Sequence, residues 1–157
     1  MEDFENIKQQ IIALYEKCLD TTEPFHTKID ICKVPDYLAQ LVIETTTIDI
    51  ANYMITIDNY GISHTLLQHG NPISEAKRGQ VAIEKEDFIK WIDVVLQPDK
   101  IVLLENTKRS NLPQIQFEKV IENKKIVVKE VRTVTSTKKN KVNRLVFQTM
   151  YKFKKSN

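Results

Sequence analysis

The sequence is poor in the residues from which disulfide frameworks, metal centres and phosphate loops are built. Its 157 residues include two cysteines, three histidines and three glycines. Two cysteines do not form a disulfide scaffold, so Cys18 and Cys32 are predicted to be reduced and buried. A zinc site is not expected, and no Gly-rich phosphate loop, H-E-x-x-H pair or G-x-S-x-G turn occurs. We therefore expect neither a metal ion nor a cofactor.

Long apolar runs are also missing. No stretch approaches the roughly 18 apolar residues of a membrane span. Near the start, Phe4, Ile7 and Ile11 alternate with polar residues, which does not fit a signal peptide. With 41% hydrophobic and 28% charged residues, the composition fits one globular domain. We expect a cytoplasmic protein without a membrane partner.

Charge is divided unevenly along the chain, although the net charge is only +2. Residues 1–110 hold 11 basic and 18 acidic residues, whereas residues 111–157 hold 12 basic and 3 acidic residues. A C-terminal part this basic favours a polyanionic partner, because phosphates would neutralise the crowded cations. A solvated, strongly charged face of a sheet explains the same pattern, and charge alone leaves both interpretations open.

Hydrophobic periodicity predicts N-terminal helices followed by a meander of strands. The last four strands indicate an α+β fold with an antiparallel sheet of about four strands and helices packed on one face. A boundary near residue 47 is expected to divide an N-terminal helical or mixed subdomain, 1–47, from a domain of residues 48–157. Predicted helices cover 4–19, 35–41, 59–69 and 86–96; predicted strands cover 28–34, 79–83, 100–104, 114–121, 126–134 and 143–153, and the strand-like segment 48–57 precedes the third helix.

The helix predicted over residues 59–69 carries two of the three histidines. At about 100° per residue, taking Ile62 as zero, Leu66 falls near 40° and Leu67 near 140°, which centres the buried side close to 60°. His64 then falls near 200°, on the exposed side, and His69 near 340°, at the margin of the apolar side. Imidazole exchanges protons near neutral pH and suits a general base, although surface histidines without a function are also common.

The strands after this helix supply cations and hydroxyl groups with a period of two. Because alternate residues of a strand share a face, Phe117 and Lys119 are expected to project together, as are Thr149 and Tyr151. A base, a lysine and a hydroxyl group converging there would suit phosphoryl transfer without a metal. The alternative is a solvated outer face of the sheet.

Several segments together resemble one group of nucleases. They are Ile62-Ser63-His64-Thr65-Leu66-Leu67-Gln68-His69-Gly70, Glu75, Arg78-Gly79-Gln80-Val81-Ala82-Ile83, Glu86-Asp87-Phe88, Leu96-Gln97-Pro98-Asp99-Lys100-Ile101, and Leu145 with Thr149-Met150-Tyr151-Lys152. Their order and spacing resemble the phage-associated nucleases of the barnase/EndoU/colicin/RelE-like group over residues 48–153.

This resemblance implies a metal-independent ribonuclease with helices packed on a curved antiparallel sheet. Members of the group typically cut RNA, often tRNA or ribosome-bound RNA, through the 2′-hydroxyl to leave a cyclic phosphate. By position, the resemblance makes His64 the general acid or base, with His69 as a further catalytic residue that orients it. Lys119 would contact the phosphate, and Thr149 with Tyr151 would line the scissile site. Substrate-binding roles fall to Glu75, Lys129, Arg132 and Arg144.

The sequence thus predicts an endoribonuclease, a toxin or phage-type effector acting in its own or a target cell's cytoplasm. RNA is the expected partner, with a cognate immunity protein or antitoxin as a second. Two alternatives stay open. One is a catalytically silent RNA-binding or phage structural module of the same fold, and the other is an acidic-faced interaction protein, which the basic C-terminal part disfavours.

Overall fold

The computed structural model describes residues 4–135 and 142–155, and these contain five helices and six strands. The predicted turn over residues 136–141 lies outside the described residues. In chain order the elements are α1 (Phe4–Asp20), β1 (Lys28–Lys33), α2 (Asp36–Thr46), β2 (Met54–Asp58), α3 (Asn59–His69), α4 (Pro72–Lys77), α5 (Lys85–Leu96), β3 (Lys100–Leu104), β4 (Gln114–Ile121), β5 (Lys124–Thr135) and β6 (Val142–Lys154).

The six strands form one mixed sheet in the order β1-β2-β6-β5-β4-β3. The prediction of an α+β fold is confirmed, but the expectation of about four antiparallel strands is wrong in detail. β1 and β2 extend the sheet, and β2 pairs with β6 in parallel. Parallel neighbours require a long crossover, and here the whole segment from α3 to β5 provides it. Residues 1–47 and 48–157 contribute strands to the same sheet.

Two amphipathic helices cover one face of this sheet. In α1 the buried positions Ile7, Ile11 and Leu14 recur at helical spacing, and this helix packs on α5. The start of α5 is fixed by a capping box, in which Glu84 and Asp87 each accept a hydrogen bond from the other's backbone. The buried side of α5 carries Trp91, whose ring meets Phe147 of β6 edge-on at 5.6 Å between centroids.

Three local predictions differ from the structure. α2 continues past residue 41 and ends where Thr47 adopts a left-handed conformation with φ 67°. The short helix α4, which begins at Pro72, was not predicted. Instead of a strand over residues 79–83, the structure has a single bridge between Val81 and Lys152. Each segment is short, so contacts with distant elements rather than local periodicity determine its conformation. Cys18 and Cys32 form no disulfide with each other, and both are partly buried, whereas the prediction was that they are buried.

A carboxyl group lies inside the core, where Glu130 of β5 is completely buried. The indole Nε1 of Trp91 donates a hydrogen bond to its Oε1 at 2.6 Å. Burial raises the pKa of Glu130 well above its ordinary value, and the nearby Asp58 adds to this effect. The carboxyl group is therefore held in its protonated form in the folded protein.

Glu130 should make stability decrease as pH rises. In the unfolded chain a glutamate ionises near pH 4.3, whereas the folded protein keeps the proton to higher pH, so stability is lost between these two pKa values. Glu130→Gln keeps an acceptor for Trp91 and removes the ionisation. We expect the wild type to lose stability relative to this variant between pH 5 and pH 8, measured by urea unfolding with Trp91 fluorescence. A constant difference across this range would contradict the assignment.

Candidate active site

Helix α3 continues the direction of β2 and lies beside β6. β2 pairs with β6 only as far as Thr56 and Val146. Asp58 then caps α3 by accepting a hydrogen bond from the Gly61 backbone at 2.9 Å. A Cβ at Gly61 would stand 2.5 Å from the carbonyl oxygen of Phe147, so glycine permits the helix to approach the strand. The predicted helix over 59–69 is confirmed, and the fold sets it against β6.

Gly61→Ala tests this close approach. The added methyl group has no room against Phe147, so helix and strand must separate. We expect a loss of about 1–3 kcal/mol in the free energy of unfolding, as for other overpacked sites. Chemical denaturation measures it, with Gln68→Ala on the exposed side of α3 as the matched control. Equal stability of the two variants would show that the contact is not tight.

The end of α3 places His69 against a buried carboxylate. Its Nδ1 lies 3.1 Å from Oε2 of Glu75, and the Glu75 side chain is fully buried. Arg78 approaches the second carboxylate oxygen at 3.3 Å and forms an ion pair with Glu75. The imidazole is 13% exposed, and its Nε2 makes no hydrogen bond within the described residues. One ring nitrogen is thus held while the other is open to a ligand.

Backbone hydrogen bonds hold this histidine next to β6. The amide of Ile83 donates to the carbonyl of His69, and the amide of Val81 donates to the carbonyl of Lys152, both at 2.8 Å. The segment after α4 therefore ties the end of α3 to the last strand. As a result the ring of His69 lies 5.6 Å from that of Tyr151, measured between centroids.

Tyr151 carries a phenol that stays protonated. Partial burial raises the pKa of Tyr151, the nearby Glu118 carboxylate raises it further, and Lys125 opposes this shift. Lys125 is itself paired with Glu118 at 2.7 Å. The phenol is therefore a proton or hydrogen-bond donor at neutral pH.

A β-bulge gives β6 an extra residue near the pair formed by His69 and Tyr151. Lys129 is paired with Thr149 and Glu130 with Phe147, so Gln148 has no partner on β5. The bulge turns Thr149 toward α3, where the hydroxyl of Thr65 donates to it at 3.4 Å. The side chain of Lys129, which pairs with Thr149 in the strand register, makes no hydrogen bond or ion pair with another described residue.

His64 lies in a neighbouring depression of about 310 Å³ that Asp58 and Gln148 also line. Its side chain is exposed, as predicted, and makes no hydrogen bond to any described residue. The predicted burial of Leu67 is wrong: this residue is 84% exposed, whereas Thr65 is fully buried. The buried side of α3 is therefore centred closer to His69 than the apolar residues alone indicated.

Lys119 does not lie near His69 and Tyr151, because it faces the other side of the sheet. Phe117, two residues earlier, belongs to the core, so Lys119 shares the face that the helices cover. Its Nζ donates to the carbonyl of Gln97 at 2.7 Å and thereby ties β4 to the end of α5. The buried Lys152 lies in the same cross-strand row as Lys119, so both side chains share the face that the helices cover. Tyr151 is the neighbour of Lys152 in the strand, and its side chain therefore projects to the opposite face.

The predicted substrate-binding residues do not all lie in one place. Glu75 has no exposed surface and contacts His69, so it orients the imidazole and does not reach a substrate directly. Arg132 donates to the hydroxyl of Tyr53 at 2.6 Å, and Arg144 makes two hydrogen bonds to Asp30. The structure thus brings together His69, Glu75, Thr149, Tyr151 and Lys129.

Two residues of this region, Arg78 and Gln148, are not marked as functional by the sequence pattern. Arg78 was noted only as part of the resemblance, and Gln148 becomes distinct only through a bulge that depends on pairing with β5. Among residues 4–135 and 142–155, no group of three or more His, Cys, Asp or Glu side chains could hold a metal ion. No helix in these ranges is long and apolar enough to cross a membrane.

The fold and this site define a class of small α+β protein in which acid–base groups lie where a helix meets the edge of a mixed sheet. One family model matches the chain over residues 32–157. Its description is phage-Barnase-EndoU-ColicinE5/D-RelE like nuclease3. The chain therefore belongs to this nuclease family. The match begins within β1, at Cys32, and includes all later elements. No curated protein and no solved structure matches the chain.

Proposed function

We propose that this protein is a metal-independent endoribonuclease whose active site lies between the end of α3 and β6. The observation that carries the proposal is the imidazole of His69, fixed by the buried Glu75 and placed beside the phenol of Tyr151. Family membership supports nuclease chemistry, and the two groups supply what RNA cleavage through the 2′-hydroxyl needs, a proton acceptor and a proton donor.

His69 acts as the general base. Because Nδ1 is held by Glu75, Nε2 is the nitrogen that accepts the proton of the 2′-hydroxyl. The freed 2′-oxygen attacks the adjacent phosphorus, and the bond from phosphorus to the 5′-oxygen breaks. Tyr151 gives its proton to the leaving 5′-oxygen. The products are a 2′,3′-cyclic phosphate and a 5′-hydroxyl end.

The charge that develops on the phosphate needs a cation. Lys129 is the best placed residue, because it pairs with Thr149 in the strand register and its ammonium group has no partner among the described residues. Thr149 lines the scissile position next to it. His64, one turn earlier on α3, contacts the neighbouring nucleotide and not the reacting atoms. Lys119 and Arg132 have structural contacts and are not part of this proposal.

The test is RNA cleavage by the purified protein in EDTA. We expect cleavage of tRNA or total RNA, with cyclic phosphate ends that mapping of the fragments detects. Gln9→Ala, an exposed residue of α1, serves as the control and should cut equally well. Salt-sensitive RNA binding without any cleavage would contradict the proposal and identify a silent RNA-binding module.

The biological role that fits such an activity is that of a toxin or phage-type effector, with a cognate immunity protein or antitoxin as partner. Cleavage of tRNA would stop translation in the cell that contains the protein. Induced expression should therefore arrest growth in proportion to RNA cleavage. Arrest without new RNA ends would separate the toxic effect from the proposed chemistry.

A further inference from the structure

Two exposed aromatic rings lie against each other, in a tilted arrangement, beside the proposed active site. The rings of His26 and Tyr60 lie 5.0 Å apart between centroids, at an angle of 32°. Tyr60 is 58% exposed, and the side chain of His26 is 52% exposed. Asp58 fixes both, because its Oδ2 lies 3.6 Å from the His26 ring while its Oδ1 caps the helix that carries Tyr60.

Of these two rings, that of Tyr60 borders the depression that contains His64. Tyr60 lines it together with Val146 and the exposed Gln148. The bulge in β6 presents Gln148, which offers both a hydrogen-bond donor and an acceptor. Neither lysine nor arginine is among the described residues that line it. Its surface is therefore aromatic and amide-bearing, which favours a planar polar ring over a phosphate.

The depression lies between α3 and β6, the two elements that also carry the proposed reacting groups. His64 and Gln148 are followed in sequence by Thr65 and Thr149, whose hydroxyl groups lie 3.4 Å apart. Tyr151 is three residues beyond Gln148, or about 10 Å along an extended strand. At this spacing, an RNA strand with its phosphate beside Tyr151 can place a neighbouring base in the depression.

We propose that this depression is a subsite for one unpaired nucleobase of the RNA strand. The base stacks on Tyr60, which His26 supports from behind, and its edge forms hydrogen bonds with the amide of Gln148. Proteins that bind single strands use aromatic rings in this way, and an amide beside the ring adds discrimination among bases. The subsite rests on the proposed function and adds to it a determinant of where the RNA is cut.

Binding of RNA that has no 2′-hydroxyl tests the subsite without cleavage. Fluorescence anisotropy with a 2′-O-methyl oligonucleotide of mixed sequence, at fixed salt, should show affinity about tenfold lower for Tyr60→Ala. Tyr60→Phe keeps the ring and should restore most of the affinity. Tyr37→Ala, another exposed tyrosine on the distant helix α2, is the matched control and should leave the affinity unchanged.

A second measurement reads base preference. Gln148→Ala should change which base is favoured in a set of single-base oligonucleotides, and it should shift the cleavage positions without abolishing cleavage. Equal affinity of Tyr60→Ala and Tyr37→Ala would overturn the subsite even if RNA is cut. Loss of affinity in Tyr60→Ala with uncut RNA would instead support the subsite and refute the ribonuclease.

Discussion

Replacing His69 by glutamine is expected to slow RNA cleavage by about 10²- to 10⁴-fold, the usual contribution of a general acid or base. The glutamine amide can donate to the buried Glu75 as the imidazole does, but it cannot accept the proton of a 2′-hydroxyl. Binding of 2′-O-methyl RNA and the free energy of unfolding should change little. Single-turnover cleavage assays measure the effect.

His64→Gln is the matched comparison for this experiment. His64 lies on the same helix but has no carboxylate partner among the described residues, so its replacement should slow cleavage far less. A larger loss from His64→Gln than from His69→Gln would move the base to the neighbouring depression. Equal activity of both variants and the wild type would remove imidazole from the mechanism.

Replacing Lys152 by methionine is expected to lower the free energy of unfolding by about 3–5 kcal/mol, because it leaves one charge buried without its partner. The Nζ of Lys152 lies 2.7 Å from Oδ2 of Asp87, and both side chains are almost completely buried. The same oxygen accepts the hydrogen bond of the α5 capping box from Glu84, so the ion pair also fixes the start of that helix. Urea unfolding at pH 7 measures the loss.

Lys154→Met provides the control on the same strand. Lys154 is exposed, and its replacement should change stability by no more than about 0.5 kcal/mol. Comparable losses in the two variants would show that methionine harms β6 regardless of the ion pair. If Asp87→Asn combined with Lys152→Met is more stable than Lys152→Met alone, the buried charge is the cause of the loss.

Local patterns predicted the helix that carries the site but not what surrounds it. The extent of α3 and the exposure of His64 follow from nearby residues, and the structure confirms both. The contact of His69 with Glu75 depends on α4, a helix too short for a clear period. Local periodicity alone therefore does not show that His69, and not His64, has a carboxylate partner.

The sequence also does not predict which face of a strand packs against the helices. The alternation of side chains along a strand correctly predicted that Phe117 shares a face with Lys119, and Thr149 with Tyr151. It does not predict which of the two pairs faces the helices. That choice depends on the burial of Phe117 and on the register through β5. The bulge at Gln148 and the parallel pairing of β2 with β6 are likewise long-range properties.

The position of β6 has a consequence for how the protein acquires activity. β6 follows the other five described strands in the chain but lies between β2 and β5 in the sheet. Until β6 inserts, the sheet consists of two separate parts, β1 with β2 and β3 with β4 and β5. The phenol of Tyr151 then has no imidazole beside it. A chain that still lacks β6 during synthesis therefore cannot form the proposed active site, and the proposed activity would arise only after β6 has been made and has inserted.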